Sequence, residues 1–103
     1  MMELFPLPMR PYILVFTESL GLNRQVVLDY LDTRPEILNW YTFHRTAIFI
    51  ISRHSAYQLS ELFRQRFPNV LFIITEIIPG RNDGWLPQVA WDFINNPRSS
   101  GRW

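Results

Sequence analysis

Leu38-Asn39-Trp40-Tyr41-Thr42-Phe43-His44 is followed, after the short break Arg45-Thr46, by Ala47-Ile48-Phe49-Ile50-Ile51-Ser52. Successive side chains of a strand point to opposite sides. The first segment therefore sets Leu38, Trp40 and Thr42 on one face and Asn39, Tyr41 and Phe43 on the other, as a strand whose two faces differ. The second segment has no polar interior and reads as a strand buried on both faces. Two strands in immediate succession form a hairpin, and the fold then depends on what flanks it.

Upstream, Tyr12-Ile13-Leu14-Val15-Phe16-Thr17 is a short apolar run rich in β-formers. Gly21 suits a turn and Asn23 a helix cap, after which Leu22, Val26, Val27, Tyr30 and Leu31 line one helical face that Pro35 closes. Downstream, Ser55 and Gln58 make a capping box. Leu59, Leu62, Phe63 and Phe67 form a helical stripe that ends at Pro68-Asn69. Val70 to Thr75 is a fourth strand, with an apolar continuation to Ile78. A loop over residues 79–84 leads to a short third helix that starts at Pro87, carries Ala90, Phe93 and Ile94, and stops at Asn96-Pro97.

The order strand, helix, strand, strand, helix, strand predicts an α+β fold of the ferredoxin-like βαββαβ type. This is a four-stranded antiparallel sheet with two helices on one face, plus the short C-terminal helix. The domain spans residues 12–97. Pro6, Pro8 and Pro11 mark residues 1–11 as an extended leader, and residues 98–103 are expected as a flexible tail.

In this topology the first and third strands are central and the second and fourth are edges. The fourth is as apolar as a central strand, which is unusual because an uncovered apolar edge invites pairing. Either the C-terminal segment or the same strand of a second copy is expected to cover it. A homodimer with Leu71 and Ile73 in its interface follows, and the helix-free face of the sheet also needs cover.

Of the 103 residues, 48% are hydrophobic, 16% aromatic and only 18% charged, which excludes disorder and suggests a sticky face. The net charge of +1 is spread along the chain, so the clustered positive charge of a non-specific nucleic-acid binder is missing. All ten basic residues are arginine. The absence of cysteine excludes disulfides, thiol nucleophiles and cysteine metal sites. No apolar run approaches the roughly 20 residues of a membrane span. Met1 to Arg10 lacks the pattern of a signal peptide, so a cytoplasmic location is expected.

Few residues suggest chemistry. His44 and His54 stand at opposite ends of one strand, too far apart to share a metal. Glu18 after the first strand and Glu76 in the fourth approach each other only if those strands align suitably. Arg53, His54, Arg81 and Trp85 are candidate ligand-binding residues, since guanidinium and indole can clamp a flat or anionic ligand. A tryptophan in such a loop is expected to fold onto the core. Arg45, Phe49 and Tyr12 partly echo an RNA-recognition sheet, without its glycine-containing consensus. No cofactor motif and no metal motif is present.

The segments Tyr12–Thr17, Leu38–Ser52, Ser55–Phe67 and Val70–Thr75 together resemble small ferredoxin-like proteins of the VapD and CRISPR-adaptation endoribonuclease type. The resemblance implies dimerisation through the sheet. It also implies metal-dependent ribonuclease activity at an aspartate ending the first strand, where this chain has Thr17-Glu18 and no nearby aspartate. The leading expectation is a small dimeric, non-enzymatic interaction or regulatory protein, such as a phage-related or defence-related accessory factor with a protein partner. The alternatives are a VapD-like ribonuclease using Glu18 and Glu76, and a small-ligand or nucleotide-binding protein.

Overall fold

The computed structural model describes residues 7–102, so the first part of the leader and Trp103 lie outside the described residues. The chain forms β1 (Arg10–Phe16), α1 (Arg24–Leu31), β2 (Asn39–Tyr41), β3 (Ala47–Ser52), α2 (Ala56–Arg66), β4 (Phe72–Glu76) and α3 (Gln88–Asn95). The four strands make one sheet in the order β2-β3-β1-β4, with every neighbouring pair antiparallel. The expected ferredoxin-like α+β arrangement is therefore present, with β1 and β3 central. No helix among the described residues is long and apolar enough to cross a membrane.

The helices begin where the sequence places their caps. Asn23 accepts the Val26 N–H at 3.0 Å, and Ser55 and Gln58 form the reciprocal capping box, each side chain accepting the other residue's backbone N–H. One strand face, carrying Tyr12, Leu14, Phe16, Ile48 and Ile50, packs against Val27, Leu28, Leu31, Leu59, Phe63 and Phe67 of the α1 and α2 layer. Tyr12 is fully buried in this layer, and its hydroxyl donates to the His54 carbonyl.

β1 starts two residues earlier than its apolar run and includes Pro11. A proline in a central strand loses a ladder hydrogen bond. Here the loss falls at the strand's end: the Ile77 N–H still donates to the Pro11 carbonyl at 2.9 Å, and only the reciprocal bond is missing. β2 is shorter than expected. The Thr42 hydroxyl, with one proton to donate, lies within hydrogen-bond reach of the Ala47 carbonyl at 2.7 Å and the His44 carbonyl at 2.9 Å, and the ladder ends at Tyr41.

The third helix covers the opposite side of the sheet. Ala90 and Ile94 of α3 bury Phe49, with Ile13, Tyr41, Ile77 and Leu86 around them. The sheet thus has helices on both faces. The segment expected as a flexible tail runs beside β2: the Ser100 N–H donates to the Leu38 carbonyl at 2.8 Å and the Asn39 amide donates to the Arg98 carbonyl at 3.2 Å. Arg102 reaches Asp32 at 2.7 Å, and Asp32 also accepts the Trp40 indole N–H at 2.8 Å.

Because α3 is part of the core, Ile94→Ala is expected to lower folding stability by about 2–5 kcal/mol. Urea unfolding followed by circular dichroism measures it. An unchanged midpoint would mean that α3 is not docked on the sheet.

Candidate functional site

The two edges of the sheet differ. Beside β2 the tail supplies hydrogen-bond partners, whereas the sheet order ends at β4 with no strand beyond it among the described residues. In an antiparallel ladder alternate residues exchange both backbone bonds with one neighbour. The Thr17 N–H donates to the Leu71 carbonyl and the Ile77 N–H to the Pro11 carbonyl, so the odd-numbered residues of β4 face β1. The backbone groups of Phe72, Ile74 and Glu76 accordingly point away from the sheet.

A groove of about 460 Å³ runs along this edge between β4 and α2. Tyr57, Ser60 and Arg64 line it from the helix, and Val70 to Ile74 from the strand. Leu71 is 76% exposed and Ile73 63%. Ile73 lies opposite Val15 in the register, and Val15 is 40% exposed on the same face. α3 reaches Ile13 and Ile77 but leaves these three uncovered. The C-terminal segment, one of the two covers expected for the edge of the fourth strand, packs on the second face and beside β2 instead.

Leu71 and Ile73, expected from sequence as interface residues, thus fall together on an open apolar surface. Val15 and Tyr57 were not singled out. Tyr57 was legible as an aromatic residue off the Leu59–Phe63 stripe, while the approach of Val15 to Ile73 needs the strand register.

The remaining candidates do not converge. Glu18 pairs with Arg45 at 2.8 Å and Glu76 with Arg10 at 3.6 Å. Glu76 is opposite Tyr12, and Glu18 is six residues further along the first strand's path, about 20 Å away at 3.3 Å per residue. The described residues contain no group of three or more His, Asp or Glu side chains able to hold a metal. Arg53 donates to the Leu7 carbonyl, and His54 contributes its carbonyl to Tyr12. Trp85 is 99% exposed, so it does not fold onto the core as expected. Tyr12 and Phe49 are buried under opposite helical layers, which removes them as a stacking platform for RNA bases.

Shifted ionisations lie elsewhere. Burial raises Tyr12 and Tyr30, and the paired hydrogen bonds from Arg34 hold the Glu36 carboxyl below its ordinary value. Comparison with protein-family models, with curated proteins and with solved structures finds no match to this chain.

A carboxyl lowered on folding adds stability above its unfolded pKa, and that increment is lost as pH falls through the lowered folded value. Glu36→Gln is therefore expected to flatten the acid side of the stability profile and to lower the neutral-pH midpoint slightly. Urea midpoints measured from neutral pH down to the acid transition test this. Parallel profiles for the two proteins would refute it.

Proposed function

We propose that this chain is a non-enzymatic interaction module that works as a homodimer, joined by antiparallel pairing of β4 with β4 of a second copy. The carrying observation is the unpaired outer edge of β4 beside the exposed Leu71 and Ile73. Strand addition supplies main-chain hydrogen bonds for affinity and alternate side-chain contacts for specificity. A second copy suits this edge because the edge is self-complementary. A two-fold axis through Ile73 pairs outward-facing Phe72 with outward-facing Ile74, and brings Ile73 against its own counterpart.

The charges at the two ends of the edge fit the same arrangement, each of them paired within its own chain, Arg64 with Glu61 and Glu76 with Arg10. α2 runs antiparallel to β4, so Arg64 lies toward the Val70 end of the groove, with Glu76 at the strand's other end. Antiparallel pairing sets Glu76 of each copy toward the Arg64 end of the other. Closing the contact removes Leu71, Ile73 and the rim of the groove from water, at about 25 cal/mol for each Å² of apolar surface.

Ile73→Asp places like charges at the axis and leaves the helix-facing core untouched. Light scattering coupled to size exclusion over a concentration series is expected to give a dimer for the native chain and a monomer for this variant, with equal circular dichroism. A native chain that stays monomeric at high micromolar concentration refutes the proposal.

A further inference from the structure

A second concave site lies on the opposite face of the sheet, between the loop after β4 and α3. It is a cleft of about 250 Å³. Its walls are Ile13, Phe49, Ile77, Leu86, Trp91 and Ile94, and its mouth holds His44, Asn82 and Asp83. Phe49 and Ile94 are buried, but Ile13, Ile77, Leu86 and Trp91 remain half-exposed around the opening. The cleft is thus an apolar floor that the protein itself leaves partly wet.

The polar groups at its mouth retain free hydrogen-bonding capacity. Asp83 engages only Oδ1, which accepts the Gly84 N–H at 2.8 Å, and it forms no ion pair among the described residues. Neither the His44 ring nor the Trp91 indole N–H has a protein hydrogen-bond partner among those residues. Asn82 is held by its own turn, its amide donating to the Ile78 carbonyl at 2.8 Å. An apolar pocket with a few convergent polar groups is the usual form of a small-molecule site.

The geometry points to a binding site for a small planar aromatic amine. The volume lies below the range of about 300–1,000 Å³ that receives drug-sized ligands, so one ring system fits and a nucleotide does not. Trp91 and Phe49 offer aromatic surface for the ring. The carboxylate of Asp83 can only accept hydrogen bonds, and it calls for a donor or a cation at the mouth. No arginine lines the cleft, so an anionic ligand meets Asp83 without a counter-charge. The cation also gains from the aromatic faces. Arg81 and Trp85, the residues that sequence suggested for ligand binding, border the same loop but do not line the cleft. This site is separate from β4 and stands whether or not the chain dimerises.

The test is a titration of the ¹⁵N-labelled full chain with tryptamine, indole and indole-3-acetate, followed in ¹H–¹⁵N spectra. Tryptamine is expected to shift the Trp91 indole N–H and the Gly84 amide saturably, and to bind about tenfold more tightly than indole-3-acetate. Asp83→Asn, a change at an exposed loop residue, is expected to abolish that preference with an unchanged circular dichroism spectrum. Three results overturn the inference: no saturable shift at these two groups with any probe, equal or stronger binding of the anion, or an undiminished preference for tryptamine in Asp83→Asn.

Discussion

β1 is hydrogen-bonded along both sides and apolar on both faces, and the rest of the molecule answers that constraint. Its even residues bond to β3 and face the α1 and α2 layer, while its odd residues bond to β4 and face away from that layer. Tyr12, Leu14 and Phe16 are fully covered by two helices. Ile13 and Val15 need a second cover, and only α3 supplies it. A helix of 8 residues is about 12 Å long, whereas a 7-residue strand extends about 23 Å. One such helix lying along the strand covers about half of the face. Ile13 lies under it and Val15 does not, and the exposed patch with Ile73 and Leu71 is what remains.

The two edges of the sheet are also treated unequally. Edge strands are commonly blunted by charge, proline, a bulge or a covering segment. β2 has the covering segment, fixed by Ser100 on Leu38 and by Arg102 on Asp32. β4 reads Phe-Ile-Ile-Thr-Glu, with one charge at its end and none of these devices in its middle. A strand whose interior is Ile73-Ile74 and whose outer backbone is open is a template for another strand. Among the described residues, one edge of the sheet is thus held by several specific contacts and the other by none.

The fold was legible because its signals are local. The hairpin at residues 38–52, the Ser55–Gln58 capping box and the Asn23 cap each act within a few residues, and their order leaves few topologies. What was not legible depends on contacts distant in sequence. The docking of α3 onto Phe49 sets residue 90 against residue 49, and nothing in the Ala90–Ile94 pattern says which face of the sheet receives it. Pro11 reads from sequence as part of the extended leader, but it joins the first strand because its missing bond falls at the end of the ladder. Trp85 was expected to fold onto the core, and only the path of the loop decides that it faces water while Trp91 lines a cleft. The exposed apolar pair Leu71 and Ile73 was visible from hydropathy alone, although its continuation to Val15 required the register.

The charges bear on where function can reside. Of the acidic residues between 7 and 102, Glu18, Asp32, Glu36, Glu61 and Glu76 each pair with an arginine. Asp29 and Asp92 accept from the glutamines four residues before them on their own helices. Exposed pairs of this kind contribute about 0–1 kcal/mol each, so they do little for stability. Their effect is to engage the carboxylates locally and leave few of them free to hold a metal or transfer a proton. Asp83 is the exception: it has no basic partner among the described residues, and it stands at the mouth of an apolar cleft. The surfaces left for recognition are therefore mainly apolar ones, the β4 edge with its backbone groups and the α3 cleft with one carboxylate.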